Sequence, residues 1–106
     1  MTEQTFNVGK VSDFAEDSMT LLELSGNEII LLVKQAGAFY ALPDQCTHAR
    51  FPLHDGELLE GKVKCQYHGA TFDLESGRAT LPAIKKIKLY HVSTEGDEVF
   101  ITLQES

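Results

Sequence analysis

The chain of 106 residues is 42% hydrophobic, holds three prolines and carries a formal charge of −7 from nine basic and sixteen acidic side chains. A chain of this length can bury roughly 60–70% of its unfolded surface, enough for one core, and its apolar share argues against disorder. The acidic surplus speaks against a nucleic-acid ligand and against an anionic membrane surface, since both call for a basic face.

In chain order, Met1 to Thr5 lacks the basic and apolar stretches of a secretory signal. The expected location is therefore the cytoplasm, where thiols stay reduced. Phe6 to Val11 contains alternating apolar residues and predicts a strand. Val11 to Asp17 has room for one helical turn, with Ser12 and Asp13 as candidate caps. Met19 to Leu24 alternates weakly, Ser25-Gly26-Asn27 reads as a turn, and Glu28 to Lys34 is apolar and β-branched enough for a buried strand. Within it Ile29 to Val33 is the longest apolar run, far short of the roughly 18 residues of a spanning helix. Gln35-Ala36-Gly37 turns the chain into a strand from Ala38 to Leu42, and Pro43 and Asp44 end the regular pattern.

Between Pro43 and Pro82 the composition changes. This stretch holds all three prolines, both cysteines, three of the four histidines and four glycines. Only short strands fit there: Glu57 to Leu59, Lys62 to Cys65, Thr71 to Leu74 and Arg78 to Thr80. Beyond it, Ile87, Leu89 and Val92, then Val99, Ile101 and Leu103, alternate on either side of the turn Glu95-Gly96-Asp97, the pattern of a hairpin. The predicted fold is all-β, an antiparallel sandwich or barrel with an inserted loop-rich subdomain. The chain reads as one domain, 1–106, with the subdomain at about 43–82.

That subdomain carries the chemistry. Cys46-Thr47-His48 and Cys65-Gln66-Tyr67-His68 follow the pattern C-x-H-x16-C-x2-H and use every cysteine in the chain. Two thiolates and two imidazoles, one of each per loop, suit a [2Fe–2S] cluster with both cysteines on one iron and both histidines on the other. Two other readings use the same residues. A structural Zn²⁺ takes such a ligand set, although zinc sites more often pair like ligands in one short motif. A Cys46–Cys65 disulfide needs an oxidising compartment, of which the chain gives no sign.

These motifs resemble those of the Rieske family, and the likeness extends past the four ligands. Gly69 follows the second histidine; His68 to Leu74 and Ser76-Gly77-Arg78 resemble the strand and turn that leave the second loop. Leu81-Pro82-Ala83 is similar to the proline-bearing loop that covers the cluster, and Lys88 to Val99 to the closing hairpin. The resemblance implies Cys46, His48, Cys65 and His68 as the ligands of a [2Fe–2S] cofactor. High-potential members of the family carry an extra cysteine in each loop, a serine after the His-Gly pair and a tyrosine two residues later. This chain has Tyr67, Ala70 and Phe72 at the second-loop positions, so the donors that would stabilise the reduced cluster are missing. That narrows the likeness to low-potential, soluble Rieske ferredoxins. The implied role is a monomeric one-electron carrier, not an enzyme, running from a flavin-containing NAD(P)H-dependent reductase to a terminal oxygenase. The implied alternative is the Rieske-type small subunit of a larger reductase such as assimilatory nitrite reductase.

The remaining residues weigh less. An oxygenase would need a second iron held by two histidines and a carboxylate. Only His54 and His91 are left over, 37 positions apart. Each reads as solvated, His54 in a loop and His91 on a strand. Arg50, Phe51 and Tyr67 flank the ligands. Lys85, Lys86 and Lys88 form the one basic cluster, and Asp44, Asp55 and Glu57 are candidate docking charges. The ring edges of His48 and His68 are expected near solvent, since loops lie at surfaces.

Overall fold

The continuous apolar run at Ile29 to Val33 makes sense only for a strand covered on both sides, and that is its place in the computed structural model. The structure describes residues 2–24, 29–44, 52–66, 69–80 and 86–105. Within these, nine strands form three antiparallel sheets. The first sheet has the order β1 (Thr2–Lys10), β9 (Glu98–Glu105), β8 (His91–Glu95). The second joins β2 (Ser18–Glu23), β3 (Ile29–Gln35) and β4 (Ala38–Pro43). The third, a meander of β5 (Glu57–Leu59), β6 (Lys62–Lys64) and β7 (Thr71–Asp73), falls between β4 and β8 in the chain.

The side-chain alternation of β3 divides the interior in two. Ile30 and Leu32 face the first sheet and pack with Ala41, Phe14, Val99, Ile101 and Leu103. Leu31 and Val33 face the opposite way, onto Leu42, Leu53, Val63, Cys65, Ala70, Phe72, Leu74 and Ile87. All four β3 side chains are buried, each contributing about 1.5–3 kcal/mol of apolar burial. The first and second sheets also meet edge to edge, where an isolated bridge pairs Ala41 with Tyr90 and the Tyr90 N–H donates to the Ala41 carbonyl at 2.8 Å.

Three expectations need correcting. The single helical turn is present as a 3-10 helix at Val11–Asp13, but its N-cap is Lys10 rather than Ser12 or Asp13. Asp13 works from the far end of the turn, accepting the Lys10 N–H at 2.8 Å. The alternation at Ile87 and Leu89 does not make a strand, and β8 begins only at His91. Ile87 donates instead to the Gly77 carbonyl at 2.9 Å, so its backbone serves a turn and not a ladder. Likewise Arg78 to Thr80 pairs with β7 through one bridge, Phe72 with Ala79, rather than as a strand. The expected turn Ser25-Gly26-Asn27 lies outside the described residues.

Candidate metal centre

The site is built at one end of the third sheet. Along β6 the exposed Lys62 and Lys64 alternate with Val63 and then Cys65, both fully buried. Cys65 extends the ladder by one bond past β6: its N–H donates to the Ala70 carbonyl at 2.7 Å. The Gly69 N–H donates back to the Cys65 carbonyl at 3.0 Å, so the two flanks of the second ligand motif are joined. Gly69 has φ +76, a conformation that side chains with a Cβ rarely adopt, so the glycine after the second histidine is what lets the loop close. The Cys65 thiol is free of any disulfide and sits among Leu31, Val33, Leu42, Val63, Ala70 and Phe72. Cys46, His48 and His68, with Arg50, Phe51, Tyr67, Lys85 and the Leu81-Pro82-Ala83 loop, lie outside the described residues. The expected exposure of the two histidine edges lies outside them too.

Residues flanking the two ligand motifs meet in a close backbone approach. Gly56, between the first loop and β5, packs so tightly on the residue before Cys65 that a Cβ there would stand 2.0 Å from the Lys64 carbonyl oxygen. On the far side, Thr71 and Thr80 share a hydroxyl–hydroxyl bond of 3.0 Å, and the Thr71 N–H donates to the Thr80 Oγ1 at 2.8 Å. This fixes the point where the chain leaves for the proline-bearing segment. The turn at the other end of β7 is held by Asp73, whose carboxylate accepts the N–H groups of Ser76 and Glu75. Those bonds hold its pKa below the ordinary 3.8.

Sequence reasoning missed one interaction. Asp44, read as a docking charge, is not one: its side chain is only 5% exposed and is committed to His54. The His54 N–H donates to Asp44 Oδ1 at 2.7 Å, and its ring Nδ1 lies 2.5 Å from Oδ2. The ring itself is 40% exposed, as expected of a loop histidine, and its Nε2 lies 3.3 Å from Asp55. The hydrogen bond to Asp44 raises the His54 pKa above the usual 6.5, slight desolvation opposes it, and the charges of Asp44 and Asp55 add to it. The signal was a carboxylate just past a strand and a histidine just before the Asp55-Gly56 turn. No periodicity links them.

The other leftover residues stand as follows. His91 is exposed at the start of β8, and Lys86 is exposed. Lys88 reaches over the Tyr90 ring at 5.0 Å, a cation–π contact, and so is partly engaged. Among the described residues no three His, Cys, Asp or Glu side chains converge elsewhere as a metal site. The donor chemistry fits an iron–sulfur centre at the loops: a free thiol held in an apolar wall, with three further N and S donors supplied by the sequence in the same two short motifs.

Comparison with known proteins agrees with this geometry. The model of the Rieske [2Fe-2S] domain matches residues 4–91. The chain is 37% identical over 93 residues to a Rhodococcus jostii (strain RHA1) protein named biphenyl 2,3-dioxygenase, ferredoxin component, covering 87% of this chain and 86% of that one. It is 36% identical over 87 residues to the 3-phenylpropionate/cinnamic acid dioxygenase ferredoxin subunit of Escherichia coli (strain K12), covering 80% and 82%. The ferredoxin of carbazole 1,9a-dioxygenase from Nocardioides aromaticivorans IC177 shares its fold, with a TM-score of 0.84 at 23% identity over 92% of this chain and 95% of that one.

Proposed function

The chain belongs to the Rieske [2Fe–2S] domain family, and on that premise we propose that it is a one-electron carrier serving a terminal oxygenase. Its own electrons come from a flavin-containing NAD(P)H-dependent reductase. Cys46 and Cys65 hold one iron of the [2Fe–2S] cofactor, and His48 and His68 the other. The relatives named as dioxygenase ferredoxins support this role over that of a nitrite reductase subunit. They equally support a carrier over an enzyme. We further propose that residues 1–106 form one domain with the cluster subdomain at about 43–82, and that the protein works as a cytoplasmic monomer. A radius of gyration of 13.2 Å, close to the roughly 13 Å of a single compact unit of this length, supports the first of these.

The observation that carries the reading is Cys65, a free thiol that strand register turns inward, with its backbone bonded to Ala70 and Gly69. When bound, the cluster supplies one-electron redox chemistry, at a potential raised because two neutral imidazoles replace two thiolates. The protein supplies position and environment. The Cys65–Ala70 and Gly69–Cys65 bonds tie together the two flanks of the second loop, and the apolar wall of Leu31, Val33 and Phe72 keeps water from the thiol. In a bound cluster the imidazole nitrogen of His48 and of His68 not used for iron could lose its proton at alkaline pH, and reduction would hold that proton more tightly, so electron uptake would couple to proton uptake there.

Anaerobically purified protein should contain about two irons and two labile sulfides per chain and give the paramagnetic resonance of a reduced [2Fe–2S] centre. Stoichiometric zinc without labile sulfide would overturn the assignment. Coupled to a flavin reductase, the loaded protein should reduce a second protein acceptor and turn over no aromatic substrate by itself.

A further inference from the structure

Asp44 closes β4 two positions before Cys46, and His54 follows His48 by six. The bonds between Asp44 and His54 therefore join the two ends of the first ligand loop. Both ends are tied into the body of the protein. The Asp44 N–H donates to the Ile29 carbonyl at 3.3 Å, at the start of the doubly covered strand β3. Leu53, next to His54, is fully buried in the same core as Cys65, and its carbonyl accepts the Gly56 N–H at 2.9 Å. The Asp44 carboxylate is nearly excluded from water, whereas the histidine that meets it is part exposed. An exposed side chain that spends its ring N–H on a buried carboxylate is fixed in place without being part of the core.

We propose that His54 is a positioning residue: with Asp44 it forms a latch across the first ligand loop that holds Cys46 and His48 in place to retain the cluster. This inference rests on the ligand assignment proposed above. The physical ground is chain entropy. A loop with free ends must lose conformational freedom each time its two ligands engage iron, and the loss grows with the length left open. Joining residues 44 and 54 removes much of that loss beforehand. The bond from the His54 backbone N–H to Asp44 Oδ1 survives any change of the His54 side chain, so removing the ring abolishes only part of the closure. The expected result is a roughly tenfold faster loss of the cluster.

The test follows bleaching of the visible absorbance of the loaded full-length protein in excess iron chelator. Wild type is compared with His54→Leu, His54→Asn and Lys34→Met. His54→Leu should lose the cluster about tenfold faster than wild type. His54→Asn, whose amide N–H can take the place of Nδ1, should come back to within about threefold. Lys34→Met perturbs the other core, where Lys34 Nζ donates to the carbonyls of Val11 and Phe14, and should leave the rate nearly unchanged although the melting temperature falls. Three results would overturn the latch: equal rates in wild type and His54→Leu, no recovery in His54→Asn, or an equal acceleration in Lys34→Met. Should the leucine variant not fold, His54→Ala makes the same comparison. Wild type that takes up neither iron nor labile sulfide sinks the ligand assignment itself, a failure distinct from an unlatched but loaded His54→Leu.

Discussion

Replacing Gly56 by alanine should separate the two ligand loops. The added Cβ would stand 2.0 Å from the Lys64 carbonyl oxygen and 3.1 Å from that of Leu53, both backbone atoms that cannot rotate away. Ordinary contact begins at about 3.5 Å, so the two segments must part by roughly 1–1.5 Å. Overpacking of this kind costs about 1–3 kcal/mol. The effect on the centre should exceed the effect on the fold. Metal–ligand distances tolerate about 0.2 Å, and Lys64 immediately precedes Cys65, so the shift is several times what the site can absorb. The assay measures iron and labile sulfide per chain beside a thermal melt, with Lys34→Met as a variant of similar stability loss far from the loops. Gly56→Ala should retain less than about half the iron of wild type, and Lys34→Met nearly all of it. Full iron with an unchanged melting temperature in Gly56→Ala would refute the close-approach argument.

Three other outcomes follow from the same structure. Lys34→Met should cost about 1–2 kcal/mol and lower the melting temperature by roughly 4–10 °C, since it removes a charged donor from two carbonyls and from the Phe39 ring 5.5 Å away; an unshifted melt would show those bonds to be idle. The wild-type potential should lie near the low end of the family range, about −150 mV, and Ala70→Ser should raise it by adding a hydroxyl donor beside the cluster, as checked by redox titration. Because the His54 pKa is raised on folding, its contribution to stability is complete below the unfolded value of 6.5 and is lost as pH rises through the folded value. The melting-temperature difference between wild type and His54→Asn should therefore shrink with increasing pH above 6.5, and a difference that grows would reverse the sign of the argument.

How much of this was legible in sequence depends on the kind of signal. β3 and β9 could be read because burial leaves a periodic mark: Ile29 to Val33 is apolar on both faces, and Val99, Ile101 and Leu103 on one. The ligand loops could be read because iron restricts the residue types that can serve it. Ile87 to Tyr90 misled because an extended segment whose alternate side chains are buried looks like a strand, whatever its N–H groups do. Here they go to Gly77 and Ala41, which no local pattern encodes. The Asp44–His54 pair was invisible for the same reason: it is a contact across a loop between two polar residues, each with an ordinary solvated alternative. Gly56 was visible only as one of several glycines, and its close approach to Lys64 emerges once β5 and β6 are paired.

The register of that pairing ties fold to chemistry. Glu57 stands opposite Lys64 and Lys64 opposite Thr71, so the alternation of β6 sends Val63 and Cys65 inward and both lysines outward. A slip of one residue would turn the thiol to solvent and bury a lysine without a partner, at a cost that a three-stranded meander cannot carry. The thiol's inward position is thus protected by the charges beside it. The meander is in turn held against Leu31 and Val33, on a strand whose other face is sealed by the first sheet. A centre placed on loops gains its precision from this arrangement: each described anchor of the loops, at Asp44, Leu53, Gly56 and Cys65, joins directly to a strand or to the core beneath it.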